Sequence, residues 1–354
     1  MDTERGWRGG ERQVLWLARN LAAMGHRSLI AARPDEPLAD RAREAGLAVV
    51  PLAPWSEIDP LAAMRLRALV RRERVDVVHA HTGHAVAPAA LATLGTPVPM
   101  VLTRRVDFPL KQNPGTRWKY ARAAAVIAVS GAVAESLVAS GVARERITVV
   151  PSGIDLSRTF IPASRDTLAA FGVPPGARIV VQVGQLVSQK DPLTLIRAWT
   201  VAAARAADAH LLVVGDGPLR SEVEAAIETL GPDARVHLAG YRTDADAFIA
   251  AADVVALSSV GEGIPGVVMD AMSQGKPVAA TAAGGTGELI EHGVSGLVVP
   301  TRDPAALGDA IASLLTDGAL ARRLGEAARV RVRLFSAEHT ARRTAEVYAR
   351  VVTP

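Results

Sequence analysis

ARIVVQVGQLVSQKDPLTL, residues 177–195, holds the architecture of this chain in one unit. The run from Ala177 to Gln185 is apolar without the strict alternation of a half-exposed strand, so it reads as a strand covered on both faces. The strand ends at Gly184, and a loop carrying Lys190 follows. Asp191 then offers a capping carboxylate and Pro192 suits the first position of a helix. Buried strand, turn and helix in that order form the βα unit of parallel sheets with helices on each side.

The same unit recurs in both directions. AHLLVVGDG (209–217), RVHLAGY (235–241), ADVVALSS (252–259), KPVAAT (276–281) and SGLVVP (295–300) read as further strands of one domain. VDVVHAH (75–81), VPMVLT (98–103), AVIAVS (125–130) and ITVVPSG (147–153) read as strands of an earlier one. Asp59-Pro60 and Asp303-Pro304 repeat the helix-start signal. The stretch SRTFIPASRDTLAAFGVPPGA (157–177) is irregular and proline-bearing. The expected division is 1–160, 161–334 and a terminal segment 335–354, whose helical pattern SAEHTARRTAEVYARVV (336–352) is expected to cross back to the first domain. At the other end, GWRGGERQVLWLARNLAAMGH (6–26) reads as a glycine loop leading into a helix. Such a loop normally follows a strand, and only MDTER precedes it, so the first, central strand is expected to be missing, with the true start upstream of Met1.

Composition narrows the function. The chain has 354 residues, 49% hydrophobic and 21% charged, which fits about two soluble globular domains. The absence of cysteine excludes disulfides, thiol nucleophiles and zinc–thiolate sites. The net charge is only +4, and Lys111, Lys119, Lys190 and Lys276 are the only lysines, so the basic count is an arginine habit and no nucleic-acid partner is expected. The N-terminal MDTERGWRGG lacks an apolar leader core, and prolines interrupt the best apolar stretch, Ala85 to Leu102. A cytoplasmic protein is expected, and the basic helix MRLRALVRRER (64–74) leaves room for peripheral contact with the inner face of the cell membrane. A solvated helix face is the commoner explanation of that charge.

EGIPGVVMDAMSQGKPV (262–278) carries the most chemistry. Glu262 closes a strand region, a glycine/proline turn follows to Gly266, and a helix begins. Backbone N–H groups near Val267 and Val268 would form an anion site reinforced by the helix dipole. Asp270, one turn on, could accept from two vicinal hydroxyls such as those of a ribose; otherwise it merely favours the helix start. Lys190, at the carboxyl edge of a parallel strand, is placed to meet a phosphate, against the alternative of a solvated lysine. VVGDGPLR (213–220) and AGYRTDAD (239–246) are further strand-end loops; Tyr241 and Arg242 could flank a base, and ordinary turn chemistry is an equal reading.

In the first domain, Gly9 and Gly10 would let backbone approach a ligand. Of the histidines in HAHTGHA (79–85), His79 reads as core, whereas His81 and His84 lie at the rim. No carboxylate accompanies them, so no metal site is expected. TRRVDF (103–108) places Arg104, Arg105 and Asp107 past another strand, suited to an anionic acceptor or to a plain surface pair.

Taken together, WRGGERQ, DVVHAH, IAVS, VVPSGID, VGQLVSQKD, VVGDGPLR, LAGYRTDAD, EGIPGVVMD, GGTGELI and HGVSGLVVP, in that order, resemble the family-4 retaining glycosyltransferases of the GT-B fold. The resemblance implies two Rossmann-like α/β domains with parallel sheets facing a cleft, the first binding an acceptor and the second a nucleotide-sugar donor. It implies that Glu262 contacts the transferring sugar, that Asp270 holds the ribose, and that Lys190 and Gln185 meet the diphosphate. Gly10 approaches the phosphates, the 240–244 region borders the base, and no metal cofactor is required. The arginines of the first domain and the basic helix suit an anionic acceptor, such as a lipid-linked saccharide or a lipopolysaccharide core, and a cell-envelope glycan or lipid-linked saccharide is the expected acceptor class. This chain departs from the family pattern at Gln185, where many members carry arginine, at Asp270, one methylene shorter than glutamate, and at Arg105, near a common histidine. The alternatives are a GT-B epimerase or phosphorylase, or a nucleotide-sugar-binding protein with decayed activity.

Overall fold

The structure, a computed structural model, describes residues 1–352. It contains two compact units: Met1–Asp155 with the segment from Phe335 on, and Leu156–Leu334. The break thus falls just ahead of the irregular stretch rather than at 160, and the terminal segment belongs to the first unit.

In the first unit, β1 (Leu29–Ala32) pairs in parallel with β2 (Ala48–Pro51). A second parallel sheet has the order β3 (Val78–Ala80), β4 (Met100–Arg104), β5 (Ala125–Ala128), β6 (Ile147–Val149). β1 and β2 escape the sequence reading because LIAA and AVVP are short. Between the two sheets lies the chain start. The Met1 amino group donates to the His79 carbonyl at 2.7 Å, and His81 N–H donates to the Met1 carbonyl at 3.0 Å. On the other side Asp2 N–H donates to the Ala31 carbonyl at 3.0 Å.

The terminal helix, Ala337–Val352, buries Ala341, Thr344 and Val347 in this unit, and Tyr348 packs beside Val101 and Val150. Gly153 is the point of closest approach. A Cβ there would stand 2.6 Å from the Ala337 Cα, while Gln13 grips both the Gly153 N–H and its carbonyl, at 2.9 and 2.5 Å.

The second unit has one six-stranded parallel sheet. It contains β7 (Arg178–Val183), β8 (Ala209–Val214), β9 (Val236–Gly240), β10 (Val254–Leu257), β11 (Val278–Thr281) and β12 (Leu297–Val299). Their spatial order is β12-β11-β10-β7-β8-β9. All ten strands expected from the sequence are present, nine within their predicted windows and β4 running one residue past its own, to Arg104. Val180, Val255 and Ala279, on neighbouring strands, are fully buried, as unalternated apolar runs require. The three aspartates cap their helices: Asp59, Asp191 and Asp303 accept from the N–H groups of Ala62, Thr194 and Ala306. The Pro192–Arg205 and Pro304–Thr316 helices touch through Gly308, where a Cβ would lie 2.5 Å from the Ala198 carbonyl oxygen. Among the described residues no helix is long and apolar enough to cross a membrane.

Candidate active site

β7 and β10 are neighbours in the second unit's sheet, yet the chain leaves them in opposite directions, β7 toward β8 and β10 toward β11. The loops after these two strands therefore diverge and open a crevice at the carboxyl edge, the place where open parallel sheets bind ligands. The loop after β7 carries Lys190, and the loop after β10 carries Glu262 and Gly266.

The two loops are stitched together. Val260 N–H donates to the Gln189 carbonyl at 2.9 Å, and Gln189 Nε2 donates to the Gly261 carbonyl at 2.8 Å. Lys190 Nζ donates to Glu262 Oε1 at 2.5 Å, and Ser259 Oγ donates to the same oxygen at 2.7 Å. The Glu262 side chain is 7% exposed and that of Lys190 23%. Both groups are held in place before any ligand arrives, and the lysine keeps access to solvent. Gly215 and Gly217 have a packing cause. A Cβ at these positions would lie 1.8 Å from the Gly184 oxygen and 2.5 Å from the Leu186 oxygen, so the loop after β8 lies directly against the loop after β7.

Pro265 sets the start of the Gly266–Ser273 helix. Its carbonyl accepts from both Val268 N–H, at 3.1 Å, and Met269 N–H, at 3.2 Å. The expectation for Val268 is thus corrected, because its amide is consumed in closing the first turn and its side chain is fully buried. The two amides that the helix pattern leaves over are those of Gly266 and Val267.

Asp270 is nearly inaccessible, its side chain 3% exposed. Arg158, absent from the sequence reading, donates Nη1 to Asp270 Oδ1 at 2.6 Å and also pairs with Asp246. The Arg158 guanidinium lies over the Phe160 ring, 4.7 Å from its centroid. Arg242 forms a fork with Asp244 at 2.7 and 2.8 Å and covers the Phe248 ring, so its first partners are in its own loop. That pairing raises the guanidinium's pKa and lowers the carboxyl's. Tyr241 and Gln185 are both exposed at strand ends.

In the first unit, Gly9 and Gly10 are not a loop but the first turn of the Gly9–Ala23 helix, with open space where Cβ atoms would stand. His81 and Arg105 come together, His81 Nδ1 accepting from Arg105 Nη2 at 3.2 Å. Arg105 also donates to Ser152 Oγ at 3.3 Å. Burial pushes the Arg105 guanidinium down to about 10, against the opposing pull of Asp2 and Glu11. His79 bonds Tyr348 Oη at 2.5 Å and Thr103 Oγ1 at 2.7 Å. Burial, with neighbouring positive charge, holds both His79 and His81 well below the ordinary imidazole range. Both rings are neutral near pH 7 and serve as hydrogen-bond relays. His84 stands apart at the surface, near Glu4 and Glu57. Arg104 donates to the carbonyls of Val106 and Phe108 and so shapes its own loop, in which Asp107 is half-buried.

A family profile described as "Glycosyltransferase Family 4" matches residues 7–158, and one described as "Glycosyl transferases group 1" matches residues 164–331. The chain is similar to the D-inositol 3-phosphate glycosyltransferase of Nocardia farcinica, at 34% identity over 297 residues, covering 78% of this chain and 62% of that protein. It is similar to the lipopolysaccharide core biosynthesis glycosyltransferase LpsE of Rhizobium meliloti, at 29% identity over 268 residues, covering 75% and 73% of the two chains. The chain thus spans less than two thirds of the length of the inositol phosphate glycosyltransferases it matches. Among solved structures, Anabaena HepE in complex with UDP and glucose shares its fold, with a TM-score of 0.84 at 22% identity over 99% of this chain and 98% of that one.

Proposed function

Because the chain belongs to the family-4 glycosyltransferases, whose fold is GT-B, we propose that it moves a sugar from a nucleoside diphosphate to a saccharide or lipid-linked acceptor, with retention at the anomeric carbon. One observation carries this reading: Lys190 and Glu262 are pre-paired at the switch point of the second unit, and the loop bearing Glu262 runs on to the Gly266 and Val267 amides. A cation and free helix N–H groups at one sheet edge suit a diphosphate.

In this reaction the bond from the anomeric carbon to the β-phosphate oxygen breaks and the acceptor oxygen attacks the same face. Negative charge grows on the leaving diphosphate. Lys190 and the two amides meet that charge without reorganising, which is where preorganised donors act most strongly. Glu262, relieved of part of its bond to Lys190 once phosphate is present, accepts from the sugar's hydroxyls and orients the ring. Asp270, paired with Arg158, accepts from the ribose. The charge is balanced by the chain's own groups, and no metal takes part. UDP is the first candidate leaving group, supported by the UDP complexes of the structural relative. The relatives' names support a cell-envelope or inositol-type acceptor.

A thermal-shift screen with UDP, GDP and ADP tests the donor site. The matching nucleotide at 100-fold its Kd stabilises by about 2.7 kcal/mol, and the others do not. With the donor known, Lys190→Ala cuts turnover by ~10²–10³-fold and EDTA leaves the rate unchanged. No shift with any nucleotide, or an unchanged Lys190→Ala rate, contradicts the reading. Donor hydrolysis without transfer to any saccharide places the chain with the non-transferring alternatives.

A further inference from the structure

Two carboxyls of the proposed donor site already hold cations of the second unit. Glu262 holds Lys190, and Asp270 holds Arg158. The two pairs open differently. A phosphate drawn to Lys190 loosens the first by its own charge. The second occupies the carboxyl that the reading gives to the ribose: the Asp270 side chain is 3% exposed, and its Oδ1 accepts from Arg158 Nη1 at 2.6 Å. A ribose is neutral. It has no charge with which to draw the arginine off and must take its place.

Of the two partners, Arg158 is the one placed to yield. Asp270 stands in the Gly266–Ser273 helix, which is anchored by Val268 and Met272, both fully buried. Arg158 lies on chain that forms neither helix nor strand from Asp155 to Ser164. Its guanidinium has other company. It pairs with Asp246, whose side chain is 38% exposed, and lies over the Phe160 ring. Leaving Asp270 therefore strands no cation, because a carboxyl and an aromatic face go on holding it. Asp270 is not left bare either, since vicinal hydroxyls bring donors to its oxygens. Each side of the pair thus has a substitute partner.

We propose that Arg158 sets the donor affinity by competing with the ribose for Asp270: it occupies the carboxyl in the free protein and retires to Asp246 and Phe160 when a nucleoside diphosphate binds. The inference rests on the donor-site reading and adds a task for Arg158 that the reading leaves open. The competition has a definite sign. Nucleotide affinity is lowered by the fraction of molecules in which Arg158 holds Asp270. Weakening the grip of Arg158 on Asp270 tightens the nucleotide, and removing Asp246, the fallback partner, loosens it. A purely structural ion pair gives the opposite sign for Arg158, because a less stable pocket binds less.

Calorimetric titration with UDP, GDP and ADP tests this on the wild type, Arg158→Met, Asp246→Asn and Asp270→Asn. Arg158→Met keeps an apolar stem over Phe160 and removes the charge. It is expected to lower Tm and yet to tighten the bound nucleotide about tenfold, the gain if Arg158 holds Asp270 in about nine molecules in ten. Asp246→Asn, at a partly exposed position, is expected to weaken the nucleotide several-fold with Tm little changed, and it carries the test if Arg158→Met does not fold. Asp270→Asn is expected to weaken the nucleotide as well. A wild type that binds no nucleotide, or an Asp270→Asn chain that binds as the wild type does, contradicts the donor-site reading and takes the inference with it. With those two as expected, an affinity that falls or stays level in Arg158→Met, or that rises or stays level in Asp246→Asn, overturns the inference alone.

Discussion

The two units are both built from parallel strands, but the second holds one six-stranded sheet and the first holds two separate sheets of two and four strands. In the second, β7 unites β8–β9 with β10–β12 into one sheet. In the first, β1–β2 and β3–β6 are separate sheets joined through Met1 and Asp2. The unit with the whole sheet places its polar groups at the carboxyl edge, where Lys190 stays accessible. The other buries Asp2, Glu11, His79 and His81 around its split, with Arg105 half-buried beside them. The terminal helix packs against the first unit's core. Tyr348 bonds His79, and Gly153 lets that helix approach.

The largest stability effect should come from the second unit's buried pair. Arg158→Ala removes the guanidinium from the buried Asp270 carboxylate and is expected to lower that unit's stability by about 3 kcal/mol, because a largely buried ion pair loses its cation. Calorimetry should show the second unit's transition moving down while the first unit's stays. A uniform shift of both would break the comparison. Gly308→Ala acts on the same unit through packing, with its Cβ 2.5 Å from the Ala198 oxygen, and is expected to cost about 2 kcal/mol in the same experiment.

The smallest effect sharpens the contrast through pH. His79 and His81 in the first unit, and His210 and His237 in the second, have pKa values below that of a free imidazole. As pH falls through 6.5 the unfolded chain takes up protons before the folded one, so stability present above 6.5 is lost on acidification. Asp2 and Glu11 are raised by burial and act with the opposite sign. Removing one histidine isolates its share. His81→Asn is expected to flatten the first unit's stability-versus-pH slope between 6.5 and 5 by up to about 1.4 kcal/mol per pH unit. An unchanged slope would mean that His81 titrates normally.

Much of this molecule is legible in its residues. Unalternated runs such as AHLLVV and the Asp-Pro pairs mark strands and helix starts because both signals are local. Lys190 and Glu262 are legible for the same reason, since each lies on the loop that follows a recognisable strand. β1 and β2 are not, because four-residue runs such as LIAA and AVVP are too short to be told from helix by their pattern. The Val268 amide reads as free until Pro265 is seen to close the turn on it. Arg158 leaves no trace, because it lies in irregular chain and its partners, Asp246 and Asp270, are brought to it only by folding.

The most direct test of the donor site is a crystal structure with the nucleoside diphosphate identified by the thermal-shift screen. The account predicts the β-phosphate within hydrogen-bond reach of Lys190 Nζ and of the Gly266 and Val267 N–H groups, with the Lys190–Glu262 separation grown beyond its present 2.5 Å. A diphosphate bound elsewhere, with that pair unchanged, would contradict it.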